Sequence, residues 1–165
     1  MSGARNGELI RRGGAPVGVY QDWAPVLSAT VTPPTLGTGS VQEGRVCQIG
    51  SFVSFRAKIR FGGSPAAGDG TYILVPPVTA RKPSTTPSTA GWMVGRFVYF
   101  DVATFTNYGG GIFGDFNGAS GDIFNMAFDP ADGRAFGDGL LVADDFPFTP
   151  TAGCEFGLWG FYEAA

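Results

Sequence analysis

FVSFRAKIRF, residues 52–61, decides the fold class. Val53, Phe55, Ala57, Ile59 and Phe61 alternate with Ser54, Arg56, Lys58 and Arg60. A period of two is that of a half-buried strand, with one row of side chains in a core and a cationic stripe facing out. The stripe has two uses, binding an anionic surface or serving solubility and long-range steering, and the second is the ordinary one.

Downstream the same vocabulary continues. GGSPAAGDG, residues 62–70, is expected to be a hairpin-type connection, and TYILVPPV a strand ended by Pro76 and Pro77. RKPSTTPSTAG, residues 81–91, is expected as a polar surface loop. WMVGRFVYFDV, residues 92–102, is apolar on both faces and is expected between two layers. Further strands are expected at 111–113, 123–128 and 154–162. The last of them, CEFGLWGFYE, puts Cys154, Phe156, Leu158 and Tyr162 on one face and Trp159 and Phe161 on the other. Two apolar faces need two covers. One is the core; the other is expected to be a partner subunit, because large apolar patches rarely stay exposed.

Upstream, PTLGTGSVQEG, residues 34–44, sets turn formers around short apolar pieces. No window of ten residues has helical periodicity free of Gly and Pro. Glu8 to Arg12 is the one helix candidate and is too short to stand alone. Residues 1–19 read as a mildly basic arm, with Arg5, Arg11 and Arg12 balanced only by Glu8, that would order by docking onto another protein. Residues 20–165 form one domain.

The composition agrees with this reading. Of 165 residues, 27 are Gly and 12 Pro, with 15 Phe, 5 Tyr and 3 Trp; short strands and tight turns fit that mixture. Histidine is absent, which removes Ser–His–Asp and Cys–His nucleophilic systems, imidazole bases and His-containing zinc sites. Cys47 and Cys154 form no C-x-x-C pair; they are read as two buried free thiols, with pairing across a sheet as the alternative. The first residues contain no apolar signal core and no stretch approaches a membrane span, so a soluble protein made in a cytoplasm is expected. Charge is split: residues 1–100 carry ten Lys/Arg against four acids, a balance of +6, and residues 101–165 carry one Arg against ten acids, a balance of −9. A nucleic-acid binder leaves its basic charge uncompensated, so nucleic acid is not the expected partner. The two halves instead suit each other, within the fold or between copies.

GDFNGASGDIFNMAFDPADGRAFGDG, residues 114–139, carries five aspartates. Calcium in an EF-hand needs D-x-[DN]-x-[DN]-G and a closing Glu. Here Ala119 occupies the third ligand position and no Glu closes the loop. Asp129-Pro130, Asp132-Gly133 and Asp138-Gly139 are turn formers, which is the preferred reading. A weak calcium site from Asp115, Asn117, Asp122 or Asp129 is the alternative. Asp144 and Asp145 are adjacent, so on a strand they point apart and do not form a glycosidase pair. GASG is not G-x-S-x-G and lacks a histidine base. No catalytic, metal or cofactor residue is assigned, and no enzyme is expected.

Three segments together resemble a recurring phage virion-surface module. Residues 22–62, DWAPVLSATVTPPTLGTGSVQEGRVCQIGSFVSFRAKIRFG, show its Trp-x-Pro opening, T-x-G-x-G turn and Ile-Gly strand end; GDGTYILVPPVTA, residues 68–80, is similar to its Leu-Pro-Val strand; PFTPTAGCEFGLWGFYEAA, residues 147–165, is similar to its close. Cys154 stands where Asp often follows Gly, and Val46-Cys47 where Tyr is usual, so no binding residue is carried over. The resemblance implies an antiparallel β-sandwich or jelly-roll-like barrel, commonly trimeric, found on tail fibres and other virion surface proteins. It implies a structural or adhesive role. The short arm suits capsid decoration against the major capsid protein. The alternative is a tail-tip receptor-binding module for host glycan, with Trp92 or Tyr108 as stacking aromatics.

Overall fold

The computed structural model describes residues 18–81, 92–114, 124–128 and 149–165. Within them the chain forms nine strands and no helix: β1 (Gln21–Trp23), β2 (Val26–Ala29), β3 (Val41–Ile49), β4 (Phe52–Arg60), β5 (Tyr72–Val75), β6 (Met93–Asp101), β7 (Thr106–Gly114), β8 (Phe124–Phe128) and β9 (Glu155–Glu163). They make one antiparallel sheet in the order β1-β3-β4-β9-β6-β7-β8-β5-β2. The expectation of an antiparallel all-β domain holds. The layering is that of one curled sheet.

The curl follows from chain connectivity. β1 and β2 occupy opposite ends of the sheet, yet only Ala24 and Pro25 separate them. Two residues reach no more than about 7–11 Å between strand ends, so the two edges must come together. Pro25 has no N–H for a ladder, which suits the point where the chain leaves β3 for β5.

The inner face of the curl holds the core. Across β4 and β9 the inward pairs are Val53 with Tyr162, Phe55 with Gly160, Ala57 with Leu158 and Ile59 with Phe156. On the other side of β9, Leu158 faces Phe97 and Phe156 faces Tyr99. Leu74, Ile112, Phe124 and Met126 complete the buried cluster. Tyr162 reaches out of it, its hydroxyl donating to Val78 O at 2.7 Å and accepting from Val78 N at 3.2 Å. Burial pushes that hydroxyl up to about 12.

Two expectations are corrected. Residues 62–70 do not join a hairpin, since β4 and β5 are not neighbours. They run antiparallel to residues 32–38 through Thr32–Asp69, Thr35–Ala66 and Thr38–Gly63 bridges. Gly68 lies at φ +80 with its missing Cβ directed at Thr32 O, so this close approach requires glycine. The second correction concerns residues 92–102. The β6–β7 register shifts between Met93 and Gly95, and this bulge moves the inward set from Val94 to Phe97 and Tyr99. The segment reads as apolar on both faces because its parity changes. Its outer side is open enough to leave Met93 58% exposed.

At the β6–β7 turn, Asp101 is buried and its carboxylate is fully engaged. It accepts from the Thr104 hydroxyl, from Ala103 N at 3.0 Å and from the Cys154 thiol at 3.7 Å. The Thr104 hydrogen bond, ahead of the opposing effect of burial, holds the Asp101 pKa below the usual carboxylate value of 3.8. A folded pKa below the unfolded one stabilises the protein above the unfolded pKa, and the contribution is lost as pH falls through the folded value. Asp101→Asn is therefore expected to lower stability at neutral pH and to remove part of the slope of stability against pH in the acid range. Urea denaturation of both proteins from neutral to strongly acid pH checks this; parallel curves would refute it.

Candidate interaction face

The outer face of β3, β4, β9 and β6 carries the exposed side chains that the curl leaves uncovered. Register places Asp22 opposite Arg45, Arg45 opposite Arg56, Arg56 opposite Trp159 and Trp159 opposite Arg96. One row thus crosses five strands with three guanidinium groups and an indole. Residues Gly18 to Tyr20 lie over its β3 end: a Cβ on Gly18 would sit 3.0 Å from Ile49 and 3.6 Å from Cys47 Sγ. The Tyr20 ring lies 5.7 Å from Arg45 Cζ and 5.8 Å from Arg56 Cζ, a cation–π contact with both. Arg45 also pairs with Asp22 at 3.5 Å, but both side chains are exposed and such a pair contributes little.

Beside this row lies an apolar patch. Trp159 is 46% exposed, Phe161 65% and Phe52 49%. Phe52 and Phe161 stack with ring centroids 5.9 Å apart. A groove of about 360 Å³ runs between them and the row, walled by Tyr20, Arg56, Arg96 and Trp159 and floored by Gly95 and Gly160. These two glycines pair across β6 and β9 and present backbone to the groove. A larger hollow of about 780 Å³ lies nearer the β1 edge, beside Trp23, Gln42, Glu43, Gly44 and Lys58. Trp23 lies across Gly44 and meets Phe55 edge-on at 6.0 Å.

The sequence placed Trp159 and Phe161 opposite the core, and Arg56, Lys58 and Arg60 on the outer face; all five positions hold. Trp92 and Tyr108 are half-buried and pack against the core. Arg5, Arg11, Arg12, Asn117 and the aspartates from Asp115 to Asp145 lie outside the described residues. Among the described residues no three His, Cys, Asp or Glu side chains cluster. Cys47 and Cys154 are both buried and form no disulfide. Sequence reasoning missed Tyr20, Arg45, Phe52, Met93 and Arg96. Phe52 was findable, since it shares the parity of Arg56; Arg45 and Arg96 needed the strand order.

No protein-family model, curated protein or solved structure matches this chain.

Proposed function

We propose that this protein is a non-enzymatic structural component of a phage virion surface, a homotrimeric capsid decoration protein whose copies meet through the outer face of β4, β9 and β6. The observation that carries it is the exposed cluster of Phe52, Met93, Trp159 and Phe161 on a sheet face. Apolar residues gathered in this way mark an interaction surface. The resemblance to the phage module supplies the setting, and the basic arm of residues 1–17 supplies the attachment to the capsid. Gly18 to Tyr20 pack on β3 and belong to the folded domain.

The measurement is light scattering on the purified chain. A trimer is expected, and Phe161→Ser is expected to weaken association at least about tenfold while leaving monomer stability within about 0.5 kcal/mol. A wild-type chain that stays monomeric at high concentration defeats the model. Deleting residues 1–17 is expected to leave the trimer intact and abolish binding to bare capsids.

A second reading has its own observation. The hollow near the β1 edge is bordered by Asp22, Glu43, Arg45 and Lys58, polar groups of the kind that hold sugar hydroxyls. In that reading the protein is a tail-tip module for host glycan. Binding to host cell-wall glycan that is lost on Glu43→Ala, with no binding to capsids, would favour it over decoration.

A further inference from the structure

We infer that the β6–β7 turn of one copy inserts Phe105 into the groove beside Trp159 and Phe161 of the next, so that the copies join head to tail around a ring. The inference rests on the proposed trimer and names the contact that closes it.

A lone subunit gains little from Phe105 as it is placed. Its φ is +53, in the left-handed region, which is strained for a large side chain. It is 78% exposed, more than any other large apolar residue among the described residues. The turn that carries it is braced from inside. The buried Asp101 carboxylate accepts from Ala103 N and from the Thr104 hydroxyl, on the two residues just before it. The Phe100 ring meets it at 6.3 Å, edge to face. A strained apolar side chain on a braced turn is preorganised for a contact outside the subunit.

The groove offers what a phenyl ring takes. It holds about 360 Å³, and a cavity of about 150 Å³ already accepts benzene. Trp159 and Phe161 present rings to it and Arg56 a guanidinium group, all favourable neighbours for an aromatic side chain. The hairpin from 97 to 114 carries Asp101 as its one charged residue, so it brings no cation against Arg56. A copy cannot seat its own Phe105. β6 runs from Met93 at the groove to Asp101 at the turn, and at about 3.3 Å per residue its ends stand roughly 25 Å apart.

Symmetry requires a second surface. In a two-fold dimer a patch meets its own copy, but around a three-fold axis each patch must meet a different part of the next subunit. The Phe52–Phe161 patch and its groove lie at one end of β6, and Phe105 lies beyond the other. Knob and socket at opposite ends of one strand are the arrangement a head-to-tail ring needs.

The test uses the full chain. Glycine suits a positive φ, so Phe105→Gly is expected to keep the β circular dichroism spectrum and a urea midpoint no lower than wild type. Its association in light scattering is expected to weaken about tenfold or more. The photoreactive residue benzoylphenylalanine at position 105 keeps an aromatic knob. Irradiation is expected to join copies, with the adducts mapped by mass spectrometry to residues 93–96 or 159–161. If Phe105→Gly associates as tightly as wild type while Phe161→Ser does not, Phe105 is not the occupant and the trimer stands without it. Adducts elsewhere, or none between copies of a trimeric chain, overturn the inference in the same way. If wild type is itself monomeric, the trimer and this inference fall together.

Discussion

Phe156→Ala is expected to destabilise the protein by about 3–5 kcal/mol, the largest loss of any single truncation in the core. Phe156 is buried on β9, the strand that β4 and β6 both pair with. It stands opposite Ile59 on one side and Tyr99 on the other. Its ring centroid lies 4.6 Å from Tyr99, 6.0 Å from Phe97 and 6.3 Å from Phe61. Removing the ring leaves a cavity between Phe97 and Tyr99 of β6 on one side and Phe61, just past β4, on the other, so no single side chain can move in to fill it. Domains of this size have about 5–15 kcal/mol of stability in total, and the variant should lie near the edge of folding. Urea denaturation followed by circular dichroism measures the change. A loss below about 1 kcal/mol would mean that the β4–β9–β6 register is wrong. Phe161→Ser, on the opposite face of the same strand, supplies the contrast: a small effect on folding and a large one on association.

How much of this could be read from the sequence depends on whether a feature is local. β4 and β9 were legible because their two-residue alternation runs unbroken for nine residues, and a buried face imposes it directly. β6 was found but misassigned, since one bulge at Met93–Gly95 changes parity and makes a one-sided strand look two-sided. β1 and β2 were not separated, because three- and four-residue strands flanking Pro25 have too little pattern. The antiparallel run of 32–38 against 62–70 was misread as a hairpin. Turn chemistry says that a chain bends, and not what it then lies beside. The candidate face divides in the same way. Trp159 and Phe161 follow from parity alone. The arginine row exists only once β3, β4, β9 and β6 are set in order, because Arg45, Arg56 and Arg96 come from three distant segments.

Gly160→Ala tests the seam that joins the core to that face. Gly160 lies opposite Phe55 on β4 and Gly95 on β6. A Cβ there would collide with the Val94 carbonyl oxygen and lie 2.7 Å from Gly95 Cα and 2.9 Å from Phe55 Cε1. Two of those three neighbours are backbone, held by the bulge, so the strands must separate to admit one methyl group. The expected cost is about 1–3 kcal/mol, the range for overpacking a close-fitted site. The displacement also reaches outward. Gly160 is flanked by Trp159 and Phe161, which face the groove, so association should weaken beyond what the lost stability alone explains. Gly157→Ala, three residues earlier on the same strand, is the control. A Cβ there meets nothing closer than Val98 O at 4.0 Å, and the change should be neutral within about 0.5 kcal/mol. Equal effects at 157 and 160, in urea denaturation and in light scattering, would show that the β6–β9 approach does not depend on a missing side chain. The placing of Trp159 and Phe161 on the outer face would then not depend on the close approach of β6 and β9 at Gly95 and Gly160.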